Sequence, residues 1–317
     1  MKLFRLTIDF AFKAVFGKNP DLLMGMLNSF PQFQGTKQIK SLTILNPEMP
    51  KELIEEKLSI LDIKADDLEN NQFIIEMQAF PQSEFPKRAL YYWAKSYSRN
   101  LGKGYDYSKL KKVYSFNFLN FTLFKETTEY LSTFELQEKT HKTRLTDDLE
   151  INIIELPKFL IELGQIKNDL EYWIYLLKES ENLKGETMKT LEKKNPKIKK
   201  AITELKTLSL DKKSRELYES RLKAELDYNT NIKSALNKGR EEGREEGIQI
   251  GEERGREEGR EALYQGIQLA LEVRFNSKGL ALLPAVKKIK DLEKLKKILE
   301  VAIRAASLEE IKVLLSK

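Results

Sequence analysis

The stretch Leu58–Gln78, LSILDIKADDLENNQFIIEMQ, reads as two strands joined by a polar turn. Ser59–Ala65 and Gln72–Gln78 are rich in Ile, Leu and Phe, whereas Asp66–Asn71 between them holds two Asp and two Asn. Apolar runs on either side of such a cluster are a strand–turn–strand signature. A turn centred near Leu68–Glu69 sets Asp62 opposite Glu76 and Ile60 opposite Gln78. Side chains alternate along a strand, so Asp62, Glu76 and Gln78 then project from one face. A slip of one residue sends Glu76 to the other face. Two directly opposed carboxylates repel unless a cation joins them. Oxygen ligands of this kind suit Mg²⁺ or Mn²⁺, and such an ion activates water and offsets charge on a phosphodiester. The same pattern also describes a hairpin carrying two solvated acids, and alternation alone leaves both readings open.

Composition narrows the chemistry. The 317 residues are enough for one sizeable core and an appended region. The absence of Cys excludes disulfides, thiolate zinc sites and Cys nucleophiles. The single His, His141, sits in the polar stretch EKTHKTRLTDD and reads as a surface loop residue. Hydrolytic options therefore narrow to carboxylate–metal chemistry. A net charge of +6 and a pI of about 9.0 are compatible with a nucleic-acid partner. No apolar run has the length of a membrane span, and MKLFRLTIDF lacks the apolar core of a signal peptide. The expectation is a soluble cytoplasmic protein.

ILDIKA, a polar turn and FIIEMQ together resemble the core of the PD-(D/E)XK nuclease superfamily. The chain is most similar to the Rpn family of recombination-promoting nucleases and transposase-like proteins. That family's D-x-A-F-K-x-x-F-G is matched by Asp9–Gly17, its N-P segment by Asn46-Pro47, and its K-R-A-L-Y-Y-W by Lys87–Trp93, with a repeated G-R-E-E-G tail beyond. The resemblance implies a restriction-endonuclease-like α/β core, a mixed sheet flanked by helices, followed by a helical C-terminal extension. It implies a bacterial DNA endonuclease using Mg²⁺ or Mn²⁺ and acting at the nucleoid, with recombination or transposition suggested by the family's name. Carried over, Asp62 is the motif's Asp and Glu76 its second acid, the two metal ligands. Gln78 stands where the wider superfamily has Lys, which leaves Lys64 or Lys87 as groups that could orient the attacking water. Asp9 is a further acid of the first helix, either beside the metal or simply favoured by the helix dipole. The alternatives are a non-catalytic DNA-binding and assembly protein derived from a nuclease, and a carboxylate–metal hydrolase acting on RNA.

Outward from the hairpin, Ile8–Phe16 and Leu22–Phe30 read as short helices and Ile39–Leu45 as a strand. Phe85–Leu101 reads as a helix packing Leu90, Tyr91, Ala94 and Tyr97 on the sheet. Its Lys87, Arg88, Tyr92, Lys95 and Arg99, together with Lys64, are the candidate DNA contacts. Val113–Phe124 reads as a central strand with Tyr114, Phe116 and Phe118 on one face; Leu131–Gln137 and Ile151–Leu156 are further strands. Phe159–Gly164, Leu170–Lys178, Ala201–Leu208 and Leu210–Tyr228 carry helical spacing, and Glu192–Lys200 reads as a basic loop broken by Pro196. Gly239, Gly243, Gly247, Gly251, Gly255 and Gly259 recur every fourth residue among Arg and Glu. Each Gly costs a helix roughly 1 kcal/mol relative to Ala, so the stretch reads either as a self-association helix supporting a homodimer or as a charged linker. The expected division is a nuclease-like domain over 1–235, the glycine-repeat helix over 236–262 and a helical C-terminal domain over 263–317.

Overall fold

The computed structural model describes residues 2–45, 63–81, 84–99, 101 and 106–316. Within these residues the chain divides into two units, Met1–Tyr228 and Asn229–Lys317.

In the first unit the described residues form one mixed sheet. Its strands are β1 (Thr43–Leu45), β2 (Ile63–Asp66), β3 (Gln72–Gln78), β4 (Val113–Leu119), β5 (Leu131–Phe134) and β6 (Leu149–Glu155), in the order β1-β2-β3-β4-β6-β5. The pairs β1·β2, β2·β3 and β5·β6 are antiparallel, while β3·β4 and β4·β6 are parallel. The β2–β3 hairpin has the expected register: Ile63 faces Ile75, Lys64 faces Ile74, Ala65 faces Phe73 and Asp66 faces Gln72. Asp67 builds its turn. The Asp67 carboxylate accepts from the backbone N–H of Glu69 at 2.8 Å and of Asn71 at 2.9 Å. Asn70 takes the left-handed conformation, φ 62°, which Asn tolerates better than most residues.

Strand alternation sorts the sheet into two faces. One face carries Ile63, Ala65, Phe73, Ile75, Met77, Phe116, Phe118 and Ile154. Helices α1 (Asp9–Phe16), α2 (Pro20–Leu27), α4 (Asp169–Glu179) and α6 (Pro196–Leu210) complete that core, with Phe12 against Phe118 and Phe16 against Trp173. The opposite face carries Lys64, Asp66, Gln72, Ile74, Glu76 and Gln78 on β2 and β3, and Leu119, Ile151 and Ile153 further across. Helix α3 (Phe85–Arg99) covers this face through Phe85 and Ala89, which pack with Leu119, Phe121, Ile151 and Ile153. Helices on both faces of a mixed sheet are the expected fold class.

Several local expectations need correction. The buried side of α3 is Phe85, Ala89, Tyr92 and Ser96, whereas Leu90 and Tyr91 are half exposed. The helix is rich in large side chains all round, so periodicity did not fix its phase. Phe159–Gly164 is not α-helical: only short 3₁₀ turns occupy Leu156–Lys158 and Leu163–Gln165. Glu192–Lys200 is a helix–helix corner rather than a loop. Helix α5 (Gly185–Lys194) ends there, and Asn195 caps α6, accepting from Lys197 N–H at 2.9 Å, with Pro196 in the first turn. Strand β1 begins only at Thr43.

The N-terminal segment is tied to distant helices by its backbone. Phe4 N–H donates to Ser209, Leu6 N–H to Ser180 and Arg5 N–H to the Tyr218 hydroxyl. The Arg5 guanidinium meets Glu225 at 2.6 and 2.7 Å. Tyr218 and Glu225 belong to α7 (Lys212–Leu280), whose first turn is capped by Asp211.

In the second unit, the glycine repeat is helical within α7, and the helix is interrupted at Asn276, φ 51° and ψ −141°. Beyond it, α8 (Leu283–Val286), α9 (Leu292–Arg304) and α10 (Leu308–Ser316) close a separate apolar cluster of Ile267, Leu271, Val286, Leu295, Ile298, Ala302 and Ile311. Arg274 donates to the carbonyls of Ile303 and Ala305 at the end of α9, where a cation is favoured by the helix dipole.

Candidate functional site

The polar groups on the sheet face that bears Glu76 fall into two clusters along the hairpin. The first is at the end of β3. Glu76 and Gln78 share a face because they are two apart on one strand. Glu76 is 4% exposed. Its Oε2 accepts from Gln78 Nε2 at 2.9 Å and from Arg88 Nη2 at 3.1 Å. Arg88 stands in the first turns of α3, its guanidinium 5.3 Å from the centre of the Phe85 ring. Tyr92, one turn further on, is buried; burial and the nearby Glu76 charge raise its phenol above the usual range. A carboxylate this deep is tolerated because a guanidinium compensates it.

The second cluster is at the other end of the hairpin. Lys64 and Asp66 are on the same face of β2, and Asp66 faces Gln72 across the ladder. Burial lowers the Lys64 pKa, with Arg99 adding to the effect and Asp66 opposing it. Burial raises the Asp66 carboxyl, with Lys64 opposing. Asp66 Oδ1 and Gln72 Oε1 are both buried without a hydrogen-bond donor. The sequence puts Asp66 in the turn, because two consecutive Asp before Asn-Asn look like one polar cluster. It is the last residue of β2, and the turn proper starts at Asp67. The alternation Ile63-Lys64-Ala65-Asp66 could have revealed this.

The other sequence candidates are placed as follows. Asp62 and Ile60 lie outside the described residues, as does Asn46-Pro47. Asp9 is the first residue of α1, where its carboxylate accepts from Phe10 N–H at 2.7 Å. That helix packs on the sheet face opposite to Glu76. Lys87 is exposed and paired with Glu84 at 2.6 Å. Lys95 lies over the Tyr91 ring at 5.5 Å, and Arg99 is exposed. Tyr92 is on the buried side of α3, 9% exposed. His141 is exposed, 3.5 Å from Glu138.

The Glu76 carboxylate is a hard-oxygen group of the kind that suits a divalent cation, and Gln78 carries an amide oxygen as well as the Nε2 that it turns toward Glu76. Among the described residues no three His, Cys, Asp or Glu side chains converge, so Asp9, Asp66 and Glu76 do not make a common site. No helix among the described residues is long and apolar enough to cross a membrane.

The family described as PD-(D/E)XK nuclease family transposase matches residues 6–235, which include the whole sheet, α3 and the Glu76 site. No curated protein and no solved structure matches the chain.

Proposed function

The chain belongs to the PD-(D/E)XK nuclease family transposases, and from that premise we propose that it is a metal-dependent DNA endonuclease whose divalent cation is held at Glu76. The observation that carries this reading is the hairpin register, which sets Glu76 and Gln78 on one sheet face beneath α3. Asp62, which lies outside the described residues, is taken from the sequence motif as the second carboxylate. Glu76 and Asp62 are then the ligands, with the Gln78 carbonyl oxygen beside them. The cation, Mg²⁺ or Mn²⁺, supplies an activated water and charge neutralisation at the phosphodiester.

The chain's own residues do the rest. Lys64, half-buried on the same face, has a pKa lowered by burial, which suits it to hold or relay a proton better than the exposed Lys87. Lys95 and Arg99 on the outer part of α3 contact phosphates. Asp9 serves the start of α1 rather than the metal. Cutting occurs on DNA in the cytoplasm. A homodimer through Gly239–Gly259 brings two sites to one duplex.

Nicking of supercoiled plasmid tests this reading. Wild type cuts with Mg²⁺ and not with a chelator present. Glu76→Gln, which keeps the shape of the side chain, lowers the rate by at least about 100-fold, the upper range for loss of a metal-supporting group. Undiminished cutting by Glu76→Gln defeats the assignment, and preferential cutting of RNA offered in parallel defeats the choice of substrate.

A further inference from the structure

The cation already resting on Glu76 is a side chain. Arg88 Nη2 and Gln78 Nε2 both donate to the same oxygen, Glu76 Oε2. A divalent cation bound at Oε2 needs the lone pairs that these two N–H groups use, and a guanidinium at 3.1 Å from that oxygen repels a doubly charged ion placed there. Arg88 and a cation at Oε2 therefore compete for that atom. The two partners differ in exposure: the Glu76 side chain, on a strand within the sheet, is 5% exposed, whereas that of Arg88, on helix α3, is 22% exposed. A guanidinium that leaves a carboxylate retains its preference for planar two-oxygen partners, and the phosphodiester offers one.

We propose that Arg88 is a positioning residue with two stations. In the metal-free protein it compensates and aims the Glu76 carboxylate. When the divalent cation takes Glu76 Oε2, Arg88 is released to a phosphate oxygen of the bound DNA. Gln78 turns its amide at the same time, from donating Nε2 to offering Oε1. The inference rests on the metal reading above and gives it an order: the site is held shut to cations by its own arginine, and DNA favours the open state by giving that arginine another partner. Metal and DNA then bind with positive coupling.

The experiment is Mn²⁺ binding to the full chain, read by the electron paramagnetic resonance of free Mn²⁺, with and without duplex DNA, for wild type, Arg88→Met, Arg88→Lys and Glu76→Gln. Without DNA, Arg88→Met binds Mn²⁺ roughly 5- to 100-fold more tightly than wild type, the span of ordinary coupling between linked sites. Arg88→Lys, which keeps a competing charge, stays near wild type. DNA tightens Mn²⁺ binding in wild type and no longer does so in Arg88→Met. A residue that only propped Glu76 in place would give the opposite sign, weaker Mn²⁺ binding on its removal. Equal or weaker binding by Arg88→Met, with Glu76→Gln still abolishing the site, overturns the two-station role and leaves the metal reading standing. Equal binding by wild type and Glu76→Gln overturns both. Should Arg88→Met fail to fold, Arg88→Gln decides by the same comparison.

Discussion

Glu76 and Asp66 share a sheet face, yet their environments differ. Glu76 has a guanidinium on its carboxylate. Asp66 is half-buried, its Oδ1 has no donor, and across the ladder Gln72 Oε1 has none either. Buried acceptors without a donor are costly when desolvated. The Asp66 carboxyl is raised by burial, so the folded state binds its proton more tightly than the unfolded state does. Stability from this group is therefore present at low pH and is lost as pH rises through the folded pKa. Asp66→Asn removes that dependence and adds an N–H donor opposite Gln72. Its melting temperature relative to wild type should be near zero difference at about pH 3, below the ordinary Asp range, and positive at neutral pH. Thermal melts across pH check the sign, and a variant less stable than wild type at neutral pH would show that Asp66 has a functional partner.

At the scale of elements, the glycine repeat of α7 is the least self-sufficient piece. A Cβ added at Gly239, Gly243, Gly247, Gly251 or Gly255 meets nothing within 4 Å. Alanine at Gly243 and Gly247 should therefore raise helix stability by roughly 1 kcal/mol each in a monomer. In the proposed homodimer the same Cβ atoms obstruct close approach of a second backbone. Sedimentation equilibrium of the double variant separates the cases: weakened association supports the dimer through this stripe, and a more stable protein of unchanged mass opposes it. Gly279 is the contrasting glycine. Its added Cβ would stand 2.5 Å from the Leu271 carbonyl oxygen and 2.9 Å from Phe275 Cβ. The chain turns at Asn276 and returns against its own helix there, and backbone atoms cannot step aside. Gly279→Ala should cost about 1–3 kcal/mol, as overpacking does, measured by denaturant unfolding.

For the whole molecule, the family match ends at residue 235, close to the boundary between the two units at Tyr228 and Asn229. The nuclease-like chemistry belongs to the first unit, and the second has its own apolar cluster. The net charge of +6 is spread through a chain in which a third of residues are charged, so charge alone does not mark a binding face. The proposed DNA face is set by α3, where Lys95 and Arg99 follow the buried Arg88–Glu76 pair toward the helix end. If both contact phosphates, Lys95→Ala with Arg99→Ala should lower the slope of log affinity against log salt by roughly 1–2. Fluorescence anisotropy with a labelled duplex measures it, and an unchanged slope moves the DNA face elsewhere.

The local sequence determined the hairpin. The apolar runs on either side and the Asp67–Asn71 turn between them fixed the register, because a turn is built from its own residues, and the register fixed the faces, because a strand has a period of two. It also marked the start of α7 at Asp211, since a cap acts over three residues, but not the corner at Asn195, where Pro196 among lysines reads as a loop. It did not settle where β2 stops, because Asp66 is equally at home in a turn. Only the tertiary structure decided the phase of α3. Leu90, Tyr91, Trp93 and Tyr97 offer that helix several apolar sides, and docking against Leu119, Phe121 and Ile153 selected the side bearing Phe85, Ala89 and Tyr92. That choice, made by packing between residues far apart in the chain, is what brings Arg88 onto Glu76.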